Sequence, residues 1–124
     1  MTKRILPRAL VPGERALLDF LLSSEFPGCE QLKAQIDNLQ VTGVCECGCG
    51  TVNFSIKGQA ARAVCREPIP VEAQGDGIDV LLFVRNGLLS SLEIVMYRNI
   101  RSLPYPQPSD LIVWVTPPQK LHRS

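Results

Sequence analysis

Three cysteines stand at alternate positions, Cys45, Cys47 and Cys49, separated by Glu46 and Gly48 and followed by Gly50. Thiolates hold zinc or copper(I) well, and flanking glycines let a chain wrap an ion. The spacing points elsewhere. Structural zinc sites usually take their ligands from two pairs, each separated by about two to four residues. Here each interval is one residue and there is no second pair. On an extended strand Cys45 and Cys49 would lie about 13 Å apart, too far for one ion at about 2.3 Å from each sulfur. A zinc centre would need the chain to fold back at Gly48 and a fourth ligand from Cys29, Cys65 or His122. The expectation is that Cys45 and Cys47 are small core residues and that no cofactor is bound. Zinc on Cys45, Cys47 and Cys49 is the alternative.

The other candidate groups are scattered. His122 is the single histidine, beside Arg123 near the C-terminus, so a Cys–His pair would require that end to fold back. Glu93 interrupts the apolar run Leu92-Glu93-Ile94-Val95. A carboxylate there is either a pocket acid or a solvent-facing group paired with Arg85 or Arg98. Asp76 and Asp79 fall at a turn and a strand start. Arg62, Arg66, Arg98 and Arg101 read as a mixed charged surface. Gly48-x-Gly50 lacks the further glycine and following helix of a dinucleotide loop. His-Glu-x-x-His, a Ser-His-Asp order and an acidic calcium loop are also absent from the sequence. These residues predict no catalytic constellation.

The chain that must position these groups has 124 residues, 45% hydrophobic and 20% charged, which suits one globular domain over 1–124. Thirteen basic and twelve acidic residues give a net charge of +1, without the basic excess of a dedicated nucleic-acid binder. The start, Met1-Thr2-Lys3-Arg4-Ile5-Leu6-Pro7-Arg8, has no apolar signal core, and no apolar run approaches membrane-spanning length. The expectation is a cytoplasmic protein with no membrane or nucleic-acid partner. In that compartment cysteines are read as thiols before disulfides.

Residues 1–12 predict an irregular arm. Leu17, Leu18, Leu21 and Leu22 predict a helix over 14–22, and Cys29, Leu32, Ile36 and Leu39 a second over 29–39. From Val41 the period changes to two. A four-residue loop at 48–51 would pair Cys47 with Val52, Cys45 with Phe54 and Gly43 with Ile56. Residues 69–74 predict a short strand. Leu81-Leu82-Phe83-Val84 predicts a central strand covered on both faces. A three-residue loop, Arg85-Asn86-Gly87, would place Asp79 opposite Glu93, whereas a two-residue loop would bring Glu93 onto the Val80 face. Leu111 to Val115 predicts an edge strand or a docked tail segment, and 116–124 a mobile tail. The sum is an α+β fold, with two N-terminal helices packed on an antiparallel sheet of about four to six hairpin-built strands.

Four segments resemble those of small bacterial proteins of unknown function. They are the Leu6-Pro7-Arg8-Ala9-Leu10 start, the Cys45-Glu46-Cys47-Gly48-Cys49 run followed by Thr51, the hairpin Leu81 to Ile94 with Gly87-Leu88-Leu89-Ser90-Ser91-Leu92-Glu93, and the proline-punctuated ending from Pro104 to Leu111. The resemblance implies no activity. By analogy of fold it implies an immunity-type protein that neutralises a bacterial toxin.

The functional expectation is therefore a non-catalytic binding protein whose partner is another protein, a toxin encoded nearby being the concrete case. Asp76, Asp79, Glu93, Tyr97, Tyr105 and Trp114 are the expected partner-binding residues, since Tyr and Trp dominate interface energetics and carboxylates match a basic partner. One alternative is a metal- or thiol-dependent protein using the cysteine run. Another is a small-molecule binder with a pocket between helices and sheet and Glu93 inside it.

Overall fold

Proline at the first helical position and a glutamate two residues later open helix α1, Pro12–Leu22, in the computed structural model, which describes residues 5–46, 50–65, 67–97 and 106–116. Glu14 has no solvent exposure. Its carboxylate accepts the Val11 N–H at 2.9 Å and both terminal nitrogens of Arg8 at 3.0 and 2.8 Å. That fork ties the N-terminal arm to the helix start, where negative charge also suits the helix dipole. Arg8 in turn exchanges backbone hydrogen bonds with Val41, so the arm is stitched to the sheet edge and is less irregular than its prolines suggest.

Helix α2, Cys29–Gln35, is shorter than its spacing predicts. Ile36–Asn38 form a single 3-10 turn and Leu39 already begins a strand. The tighter turn has about three residues per repeat, so Ile36 and Leu39 still point the same way, and both are buried. Gly28 precedes α2 with φ of 92°, in the left-handed region, and a Cβ there would stand 3.0 Å from the Ala63 Cβ.

Six strands follow: β1 Leu39–Val44, β2 Val52–Ile56, β3 Val71–Gly75, β4 Ile78–Arg85, β5 Leu88–Met96 and β6 Ile112–Val115. They form one antiparallel sheet in the order β1-β2-β5-β4-β3-β6, so the fold is α+β. β6 is an edge strand, the first of the two readings its sequence allows. Two predicted registers differ. In the first hairpin Leu39 faces Ile56, Val41 faces Phe54 and Val44 faces Val52, so the connection runs over 45–51 and not 48–51. The cause is a bulge at Thr42. It turns both Val41 and Val44 to the Phe54 side and breaks the alternation that had grouped Gly43 with Cys45.

In the second, Arg85 faces Leu88 across a two-residue turn, Asn86-Gly87. Both residues have positive φ, 54° and 75°, the backbone of a tight hairpin turn. Ser90 then bulges, because Val84 faces Leu89 while Phe83 faces Ser91. Beyond the bulge Leu81 faces Glu93 and Asp79 faces Val95, so Asp79 is not opposite Glu93. Burial alternates along β4: Ile78, Val80, Leu82 and Val84 are enclosed, and Asp79, Leu81 and Phe83 are half-exposed. The apolar run at 81–84 therefore has one covered face and not two.

The enclosed strand residues join Leu17, Leu18, Leu21, Leu22 and Leu32 in one buried cluster. Gln35 is the polar exception, with no exposure. Its amide nitrogen donates to the Ala61 and Gly87 carbonyls, each at 2.9 Å, and its oxygen accepts the Leu89 N–H at 2.8 Å. The Ala63 N–H also donates to the Gly87 carbonyl at 2.8 Å, and a Cβ on Gly87 would lie 2.6 Å from the Ala63 oxygen. One side chain thus holds the end of α2, the 57–65 segment and the β4–β5 turn. Among the described residues no helix is long and apolar enough to cross a membrane.

Replacing Gln35 with Leu keeps the volume but leaves an N–H and two carbonyls without this partner. The expected cost is about 3 kcal/mol in urea unfolding, while Gln31→Leu on the exposed side of α2 should cost well under about 1 kcal/mol. Equal effects at the two positions would show that the Gln35 hydrogen bonds contribute little.

Candidate binding face

Cross-strand partners point to the same side of a sheet, so the registers define rows of side chains. On the half-exposed side one row runs Trp114, Glu72, Leu81, Glu93 across β6, β3, β4 and β5. The next runs Ile112, Gln74, Asp79, Val95. A third joins Phe83, Ser91 and Asn53. The chain positions these groups by alternation alone: the neighbours Val71, Ala73, Val80, Leu82, Leu92 and Ile94 point inward and are buried.

Apolar groups are unusually exposed here. Ile112 is 67% exposed, Tyr97 66% and Trp114 55%. Three carboxylates share the face, Glu72, Asp79 and Glu93. Tyr97 follows β5 and is fastened by its N–H to the Gly77 carbonyl at 2.8 Å. Its hydroxyl donates to the Asp79 carboxylate at 2.5 Å. That hydrogen bond, then partial desolvation, then the charges of Asp79 and Glu72 hold the phenol above the usual tyrosine range. Tyr97 therefore registers the negative field of two neighbouring strands.

Of the sequence-predicted residues, Asp79, Glu93, Tyr97 and Trp114 come together on this face. Asp79 and Glu93 share it one row apart. Asp76 sits at the exposed β3–β4 turn, at the sheet's end. Tyr105 lies outside the described residues, as do Cys47, Cys49, His122, Arg66, Arg98 and Arg101. Cys45 is half-buried, and its N–H donates to the Thr51 carbonyl at 2.9 Å. No group of three or more His, Cys, Asp or Glu side chains suited to a metal occurs among the described residues. Arg62 is spent on structure, donating to the Asn86 carbonyl at 2.8 Å.

Sequence reasoning missed Glu72, Leu81 and Ile112 as members of the face. Glu72 between the buried Val71 and Ala73 is a period-two signal, but its place beside Trp114 depends on β6 returning to β3, which no local pattern encodes.

The same side carries an open depression of ≈ 720 Å³, lined among others by Asn53, Cys65, Phe83, Arg85, Ser91 and Glu93. Glu93 thus lines this depression on the half-exposed side of the sheet. Cys65 donates to the Glu67 carbonyl at 3.5 Å, and burial pushes its thiol up, so it stays protonated and a poor nucleophile at neutral pH.

The Tyr97–Asp79 pair gives a direct test of the face's electrostatics. In a Tyr105→Phe background, absorbance titration should place the Tyr97 phenol above the ordinary tyrosine value, and Asp79→Asn should lower it. The sign follows from the phenolate, which loses the hydrogen bond and meets a carboxylate. A titration unmoved by Asp79→Asn would contradict the pairing.

Comparison with known proteins adds no relative from which a role could be transferred: no protein-family model matches the chain, and no curated protein or solved structure matches it significantly.

Proposed function

We propose that the chain is a non-catalytic binding protein, with both helices seated on the far side of the sheet and the half-exposed side docking a basic protein surface. The observation that carries this is the juxtaposition of Trp114, Glu72, Leu81 and Glu93 in one row beside Ile112, Asp79 and Tyr97. Exposed aromatics supply large, stiff contact area, and carboxylates around them select positive partners. Glu72 and Asp79 stand on adjacent strands one row apart, and both charges bear on the Tyr97 phenol. A basic partner would meet both carboxylates together. β6 adds a second element of recognition. Ile112-Val113-Trp114-Val115 has no charge and no proline, and among the described residues only β3 pairs with it. An unguarded edge of this kind accepts a further strand.

The most concrete form is an immunity-type protein that occupies the basic site of a toxin acting on nucleic acid or a nucleotide. The test is binding to the purified product of the neighbouring gene. Glu72→Lys combined with Asp79→Lys, in a variant with unchanged circular dichroism, should weaken binding at least about thirtyfold, or about 2 kcal/mol, and reduce its salt dependence. Trp114→Ala should weaken it comparably at all salt concentrations. Unchanged affinity in the charge-reversed variant, or no binding by the unaltered chain, counts against this function.

A further inference from the structure

The depression beside the β4–β5 turn carries Arg85 and Ser91, which the docking face does not use, and shares Glu93 with that face. Ser91 is only 7% exposed, yet its hydroxyl makes no hydrogen bond with any described residue. A buried polar group left unmatched marks a place where a partner atom belongs. Arg85 and Glu93 line the same depression, and neither pairs with a described residue. They do not pair with each other because Glu93 faces Leu81, four residues along β4 from Arg85. That spacing separates their backbones by roughly 13 Å. Phe83 lies between them on the same side and supplies an apolar floor.

We infer that this depression binds a small zwitterion of dipeptide size, its carboxylate on Arg85, its ammonium on Glu93, and a backbone polar atom on Ser91. The planar guanidinium suits a carboxylate, which it can hold through two parallel hydrogen bonds. A single amino acid brings its two charges too close together to reach both residues, whereas a two-residue chain spans the gap left between the long side chains. The volume of ≈ 720 Å³ lies within the range of small-molecule sites. The chain end of a protein offers one of the two charges, so a free dipeptide is the ligand that satisfies both. The inference does not depend on the protein-binding function, whose test uses Glu72, Asp79 and Trp114.

The experiment titrates the isotope-labelled full chain with glycyl-leucine, its N-acetyl form and its C-terminal amide, following amide shifts and calorimetry. The free dipeptide should give saturable shifts at Phe83, Ser91 and Glu93, and each blocked form should bind about tenfold more weakly or worse. Arg85→Gln should weaken the free dipeptide while leaving the amide unchanged. Glu93→Gln should do the same with respect to the acetylated form. Ser91→Ala removes an unmatched hydroxyl, so it should fold normally and bind more weakly. No saturable shifts, equal affinity for free and blocked forms, or Arg85→Gln and Glu93→Gln variants that weaken all forms alike would overturn the assignment.

Discussion

The Gln35 amide is the interaction on which the remaining geometry depends. It sits in an apolar interior with all three hydrogen bonds directed at backbone, two of them at one hairpin, at Gly87 in the turn and Leu89 just after it. A buried amide is tolerated only when matched in this way, and once matched it specifies a single arrangement of the elements it joins. Here those elements are the end of α2, the 57–65 segment and the β4–β5 hairpin. Glycine at 87 is required twice over, by its φ of 75° and by the Ala63 carbonyl pressed against it.

From that fixed turn the register of β5 follows. A two-residue loop continued without interruption would set Glu93 opposite Val80, inside the core, where an unpaired carboxylate is prohibitively costly. The extra residue at Ser90 shifts the strand by one, so Leu89, Leu92 and Ile94 go inward and Ser91 and Glu93 outward. The bulge therefore does two things at once. It closes the core and delivers polar groups to the opposite face, where Glu93 lines the depression and joins the row that ends at Trp114. Similar logic operates at Thr42, where a bulge turns both Val41 and Val44 inward.

Much of this was legible in the residues. The leucine spacing of α1, the left-handed Gly87 and a strand near 112–115 follow from local preference, whereas the alternation of β4 was masked by the apolar run Leu81-Leu82-Phe83-Val84. The bulges were not legible, because they are set by competition between two strands for burial and not by either alone. For the same reason Asp79 and Glu93 were placed on the correct face but in the wrong rows. Gln35 was not legible, since a helix period cannot tell a solvated amide from one that meets a loop 26 residues later and a turn 52 residues later. Glu72 beside Trp114 was hidden because their contact needs a return of β6 over a long connection.

Native-state hydrogen exchange tests the central role of the Gln35 clamp most directly. The amides of Ala63 and Leu89 belong to the clamp, one donating to Gly87 and the other to Gln35 itself. If the clamp makes turn, loop and helix one cooperative unit, both amides exchange only through global unfolding, with the same free energy and denaturant dependence as the core amides of β4. Exchange of Ala63 and Leu89 by a low-energy local opening, while the Val80 and Leu82 amides remain protected, would contradict it.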